Sequence, residues 1–372
     1  SALLYAYIHS STPQAIKSNT PIIPLVNLPR DQLHLRPELT ALLRHADLRP
    51  SDLPTTSDLP ARLHPDSTVW TLVDHNALHG ELARLFAHRV SAVIDHHADE
   101  GRVPASARPR IIAPAASCTS LVVNHSRDAW NALADLATST GVAHHRGEAA
   151  RVDDAVDVAT CDAQVAQLAV GAILIDTANL AARDRVTEHD RAALRFLEAK
   201  IHVSRRVGPT YDRDAFFREV DAAKSDVEQL SLHDMLRKDF KQWCECGGNV
   251  GISSCVKPME YLLSKHRDPL PAIVQFAQSR HLHLFAIMTA HSDAGSFARQ
   301  LLLVALEEGP PLNAARRFVA QQTRELRLDE KPAPALSGDH QPPYLRLYEQ
   351  KNTEASRKRV GPLLRQAIRE SD

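Results

Sequence analysis

The stretch VSAVIDHHADEG, Val90 to Gly101, decides how this chain reads. Val90, Ala92, Val93 and Ile94 form a short apolar run that stops abruptly at Asp95-His96-His97. A β-branched run of this length, bounded by polar residues, fits a buried parallel strand. In open α/β sheets ligands bind beyond the carboxyl ends of the strands. One carboxylate and two imidazoles therefore arrive together where a ligand would sit. A single strand end of this kind is ordinarily a patch of solvated polar residues. Two further apolar runs that end in Asp argue for more.

The first of these is TVWTLVDHNAL, which stops at Asp74 after Val69 to Val73. The second is AQLAVGAILIDTANL, almost wholly apolar from Ala166 to Ile175 and ending at Asp176-Thr177. A core element does not normally finish on a bare carboxylate unless that charge has a partner. Several carboxylates meeting an imidazole make an oxygen-rich site with one nitrogen ligand. Such a site suits Mn or Mg better than structural Zn.

Around these runs the chain reads as an α/β protein. Val69–Asp74 and Val90–Asp95 with a helix between them, from about Leu78 to His88, make a βαβ unit and hence a parallel sheet. Ser1 to His9 reads as the end of a helix, Ile22–Leu28 as a strand and Leu33–Leu48 as a helix. Arg110–Pro114 reads as a short strand. Ser117-Cys118-Thr119-Ser120 before Leu121 is a helix start, and a helix N-terminus attracts phosphate. Ala137–Asp162 reads as an insertion or loop, with His144-His145-Arg146 inside it, and is followed by a helix ending at Asp176. Glu188–His202 reads as a helix. Ser204–Asp212, with Gly208-Pro209, is the expected linker. Beyond it, Asp214–Leu230 and Leu232–Trp243 read as helices, the latter with Lys238 and Lys241 on one face. Val250–Ser254, Leu282–Thr289 and Gln300–Leu306 read as strands of a second sheet, Asp329–Pro343 as a Pro-rich loop and Glu354–Arg369 as a helix. Ser356-Arg357-Lys358-Arg359 gives that helix a basic start, which opposes its dipole.

At Asp74, Asp95-His96-His97 and Asp176 the chain resembles motifs two to four of the DHH phosphoesterase superfamily. Further stretches extend the likeness over nearly the whole chain: IIPLVNLPRDQLHLRPEL, SCTSLV, LHDMLRKDFKQW, VGISSCVKPMEYL and EASRKRVGPLL. It resembles the fungal cytosolic exopolyphosphatases of the DHHA2 branch. The resemblance implies a DHH domain over 1–203, a linker over 204–212 and a smaller α/β DHHA2 domain with a mixed sheet over 213–372. It places the active site in the interdomain cleft. It implies two divalent metals, Mn or Mg, with Asp74, His96 and Asp176 as ligands. His97 would face the phosphate, Asp95 would orient a histidine, and Lys241, Arg357 and Lys358 would neutralise phosphate charge. The implied reaction is release of orthophosphate from the ends of inorganic polyphosphate by an activated water. In this family an Asp-rich motif, N-x-x-x-D-x-D-S, lies immediately before the Ser-Ala found here at Ser1-Ala2. The chain as given is therefore expected to be a fragment cut within the active-site loop.

Composition narrows the alternatives. The 372 residues suffice for two domains, and 44% hydrophobic with 24% charged residues is ordinary for a globular protein. Net charge is -1 and aromatics are 5%, which argues against nucleic acid as the partner and so against an exonuclease reading. No run approaches the ~18 apolar residues of a membrane helix, so no membrane partner is expected. Five irregularly spaced cysteines suit free thiols in a cytoplasmic protein, here expected to be a monomer. Cys244-Glu245-Cys246 reads as a surface loop. The competing functions are a prune-like short-chain polyphosphatase or pyrophosphatase, and a catalytically impaired binder of polyphosphate or protein.

Overall fold

The structure, a computed structural model, describes residues 1–10, 12–60, 63–140, 152–245, 248–293, 296–336 and 341–371. The chain divides into two compact units, Ser1–Lys224 and Ser225–Asp372.

The first unit is built on three parallel strands in the order β1 (Trp70–Val73), β2 (Val90–Asp95) and β3 (Arg110–Ile112). β2 is central and covered on both faces, which is why its sequence is an apolar run rather than an alternation. Val93 packs with Leu72, Val90 and Val103 on one side. Ile94 faces the other, with Ile8, Leu121, Trp130, Ile173 and Leu197. That larger core is made by helices Ala2–Ser10, Cys118–Thr140, Val152–Thr177 and Glu188–Val203. In the Val152–Thr177 helix, Val165, Ala166, Ala169, Val170, Ile173 and Leu174 repeat at helical spacing and are all buried. Gly171 lets the Pro37–Arg44 helix come close: a Cβ there would meet Leu42 Cδ2 at 2.0 Å.

The second unit is a six-stranded mixed sheet in the order β10-β11-β9-β6-β5-β4. Its strands are β4 (Phe240–Glu245), β5 (Gly248–Cys255), β6 (Leu284–Thr289), β9 (Gln300–Ala305), β10 (Leu328–Lys331) and β11 (Tyr344–Gln350). β5 and β6 run parallel and the other pairs antiparallel. A small hairpin, β7 (His291–Asp293) with β8 (Ser296–Ala298), precedes β9. Helices Pro310–Leu326 and Arg357–Arg369 close a core containing Val250, Ile252, Phe318, Val360 and Leu364.

Several expectations are corrected. Ile22–Leu28 is not a strand: prolines at 21, 24 and 29 remove ladder donors, and only Val26 bridges to Thr55. The helix expected over Leu232–Trp243 ends at Lys238, and Phe240 onward is β4, so Lys238 and Lys241 share no helix face. Cys244 lies on that strand and not in a loop, while Cys246 lies outside the described residues. Leu328–Lys331 and Tyr344–Gln350 are strands flanking the Pro-rich segment, neither of them foreseen, and the first takes Asp329–Lys331 out of the expected loop. The described parts of Ala137–Asp162 are helical, and His144-His145-Arg146 lie outside the described residues. By packing, the first compact unit runs on to Lys224, because Phe216 and Val220 join the first core. Among the described residues one helical segment, Val158–Thr177, is long and apolar enough to cross a membrane by length and composition, where the sequence showed no such run. Of that window, 56% is buried inside the protein, as in a core helix.

Candidate metal centre

β1 and β2 end side by side, in register from Val73 to Ile94. The chain turns sharply after each, and the turns put Asp74 next to the Asp95-His96-His97 run. Asp74 turns with φ of +68°, a left-handed conformation unusual for a residue with a Cβ. Its amide donates to the Ile94 carbonyl at 3.1 Å, which fixes the bend. Strain of this kind gathers at functional sites.

Asp74, Asp95, His96 and His97 each offer a ligand atom, and these atoms all lie within 4.8 Å of one another. His96 Nε2 is 3.2 Å from Asp74 Oδ1, and its Nδ1 is 2.9 Å from the Ala115 carbonyl. With Nδ1–H donating to that carbonyl, Nε2 is the nitrogen that faces Asp74 and can bind a cation. The hydrogen bond with Asp74 raises the His96 pKa above its ordinary value, against desolvation, and the charge of Asp176 adds to the rise. The two imidazoles stand edge to face, with ring centres 4.5 Å apart.

Asp95 is wholly buried. Its Oδ1 accepts from the His96 amide at 2.7 Å and contacts His97 Nδ1 at 2.9 Å, while Oδ2 accepts from Asn76 Nδ2 at 2.6 Å. Burial alone would raise its carboxyl. The hydrogen bonds from His97 and Asn76 and the charge of His97 outweigh burial and hold it at about 2. Asp95 is therefore an ionised anchor for His97. Asn76 also donates to the Ala98 carbonyl and accepts from the Glu100 amide, so it ties the turn after β1 to the turn after β2.

Asp176 ends the apolar helix and stands outside the group of four, yet its charge acts on His96 and it in turn feels the charge of Asp74. Its side chain reaches solvent while protein surrounds it closely. Desolvation pushes its carboxyl up, and the like charge of Asp74 pushes it further. The Ser117 hydroxyl lies near enough to oppose that rise but not in hydrogen-bonding geometry: its Oγ is buried without a partner. Two neighbouring carboxylates and an imidazole nitrogen form a donor set that fits a divalent cation, and the charge of Lys224 also reaches Asp176.

The remaining expected site residues belong to the second unit. Lys241 is exposed on β4 and Lys358 is exposed on the Arg357–Arg369 helix. Arg357 Nη1 donates to Asp239 through its backbone oxygen at 2.9 Å and its Oδ1 at 2.6 Å. No role was expected for Asn76, although it stands in TVWTLVDHNAL, nor for the Ala115 carbonyl. An amide two residues after a strand-end aspartate is the signal that could have suggested Asn76.

A parallel sheet delivering Asp and two His beside a second Asp, followed by a mixed-sheet unit, is the layout of a two-part phosphoesterase. A DHHA2 domain family matches residues 218–367. The chain is 30% identical over 374 residues to a "Putative exopolyphosphatase" of Schizosaccharomyces pombe, covering 100% of this chain and 87% of that one. It is 26% identical over 377 residues to "Exopolyphosphatase PRUNE1" of Homo sapiens, covering 99% of this chain and 72% of that one. A crystal structure described as a "putative family II inorganic pyrophosphatase" of Methanococcus jannaschii shares the fold, with a TM-score of 0.51 at 19% identity over 90% of this chain and 88% of that one. The chain belongs to the DHH phosphoesterase superfamily, in its DHHA2 branch.

Proposed function

We propose that this protein is a metal-dependent exopolyphosphatase that releases orthophosphate from the ends of inorganic polyphosphate. The observation that carries the reading is the group of Asp74, Asp95, His96 and His97, gathered within 4.8 Å at the ends of two parallel strands. The names of the fungal and mammalian relatives support the substrate.

In this reading Asp74, His96 and Asp176 hold divalent cations, Mn or Mg. Bound there, such ions supply an acidified water and neutralise phosphate charge. His97, fixed through Nδ1 by ionised Asp95, presents Nε2 to the phosphate and can donate a hydrogen bond or a proton as negative charge develops. Asp95 holds that imidazole in place. Lys241, Arg357 and Lys358 of the second unit bind the phosphate chain, the guanidinium being suited to two phosphate oxygens at once. The four described cysteines are not joined in disulfides, which supports a cytoplasmic location.

The test is orthophosphate release by the full-length protein from pyrophosphate, tripolyphosphate and long-chain polyphosphate with Mn or Mg. The expected preference is for the polymers, and His97→Ala or Asp176→Ala lowers turnover by about 100-fold or more with the fold intact. Cleavage of pyrophosphate alone points to a pyrophosphatase. Near-normal turnover in both variants removes the site assignment.

A further inference from the structure

Asp190 is a carboxylate with no solvent exposure, on the helix Glu188–Val203, outside the group that gathers at the strand ends. Part of its environment is local. The Thr187 amide and hydroxyl both donate to its Oδ2 at 2.8 Å, as at many helix N-termini. Capping residues of that kind ordinarily stay near water. Here the carboxylate also reaches 70 or more positions back along the chain. It accepts from the Ala116 amide at 3.0 Å, the Ser117 amide at 3.2 Å and the Ser120 hydroxyl at 2.7 Å. Five donors converge on two oxygens. Burial would raise this carboxyl, but the donors outweigh it and keep the group below its ordinary value.

The segment held in this way is the one that follows Ala115. The Ala115 carbonyl contacts His96 Nδ1 at 2.9 Å, and the other nitrogen of that ring faces Asp74. The Ala115–Ala116 peptide is one rigid plane. An oxygen that fixes the Ala116 N–H therefore fixes the direction of the Ala115 C=O. The chain of contacts runs from Asp190 to the Ala116 amide, across that plane to the Ala115 carbonyl, and through the His96 ring to Asp74. Asp190 also sets Ser117, whose unpartnered hydroxyl lies beside Asp176.

We propose that Asp190 is a positioning residue for cation binding, orienting the His96 imidazole through the Ala115–Ala116 peptide. The inference rests on the reading that Asp74, His96 and Asp176 hold divalent cations. Groups that orient a ligating histidine typically change metal affinity by about 10-fold or more when removed. Asp190→Asn keeps size and shape but turns an amide NH2 toward donors, so the peptide is no longer held on both oxygens.

The experiment is calorimetric titration of metal-free protein with Mn alone, compared among wild type, Asp190→Asn and Thr187→Ala, with circular dichroism to verify folding. The expected result is Mn binding about 10-fold weaker in Asp190→Asn. Thr187→Ala removes the hydroxyl contact at the helix start and should lower the melting temperature while leaving Mn affinity as in wild type. Equal Mn affinity in folded Asp190→Asn and wild type overturns the inference, and so does an equal loss in Thr187→Ala, which would mark general loosening. If Asp190→Asn does not fold, Asp190→Glu, which keeps the charge but moves its oxygens by one methylene from the Ala116 amide, decides: weaker Mn binding supports the inference and unchanged binding overturns it. Wild type that binds no Mn removes the metal reading itself, a result distinct from the others, and this inference with it.

Discussion

Asn76 holds Asp95 from behind: its side-chain amide donates to Asp95 Oδ2 at 2.6 Å, and both residues are buried. Removing that donor leaves a buried charge short of a partner, which costs about 1–3 kcal/mol. Asn76→Ala should destabilise the metal-free protein by about that amount at neutral pH. It should also change the acid limb. The folded Asp95 titrates at about 2 and its ordinary value is 3.8. Between those values the unfolded chain binds more protons than the folded one. The contribution is therefore present above about pH 3.8 and lost as pH falls toward 2. Without Asn76 the folded value moves up toward the unfolded one, so less stability is lost over that interval. Urea unfolding at a series of pH values checks this, and an acid slope identical to wild type would contradict it.

The backbone of Asp74 sets stability against function. At φ of +68° a residue with a Cβ is strained, and glycine is not. Asp74→Gly and Asp74→Ala both remove the carboxylate that faces His96 and should lose Mn binding alike. They should differ in stability, the Ala variant being about 1 kcal/mol worse. Thermal unfolding of the metal-free proteins measures the gap. Equal melting temperatures would mean that the bend after β1 carries no strain.

Arg357 tests the phosphate-binding half of the proposal. Its guanidinium stands in the first turn of a helix, where a positive charge is locally unfavourable, and it is held there by two contacts to Asp239. Lysine keeps the charge but cannot fork between acceptors. Arg357→Lys should raise the KM for polyphosphate by about 10-fold, the loss of one charge-assisted hydrogen bond, with a smaller effect on kcat. Steady-state kinetics over polymer concentration separates the two constants. A variant with unchanged KM would take Arg357 out of substrate binding.

Much of this layout was legible in the chain because three apolar runs end in Asp, a recurrence that a single solvated strand end does not explain. Asp74, Asp95, His96 and His97 could be placed together on that ground alone. β4 was misread because Leu232, Leu236, Phe240 and Trp243 also fit a helical period, and only the sheet pairing of Phe240 with Ser253 settles the matter. β11 was missed beside a Pro-rich segment, although YLRLY alternates as a strand should. The roles of Asn76 and Asp190 were not legible. Each depends on partners 19 or more positions away, and no local pattern reports which turn will face which carboxylate.

A third buried carboxylate, after Asp95 and Asp190, is held by hydrogen bonds and an ammonium group. Asp162 Oδ1 accepts from Tyr7 Oη and Trp130 Nε1, both at 2.8 Å, and Oδ2 pairs with Lys200 Nζ at 3.3 Å. The Lys200 ammonium also lies 5.0 Å from the centre of the Trp130 ring. The side chains of Lys200 and Asp162 are only 13% and 8% exposed, so each charge depends on the other. Asp162→Ala strands the ammonium and two further donors, and should cost about 3–5 kcal/mol. Lys200→Met in the same background removes the unpaired charge and should recover part of that loss. A double-mutant cycle read by urea unfolding gives the coupling. If the double variant is no more stable than Asp162→Ala alone, the ion pair is not what holds the N-terminal helix to Trp130, and the hydrogen bonds from Tyr7 and Trp130 carry the cost instead.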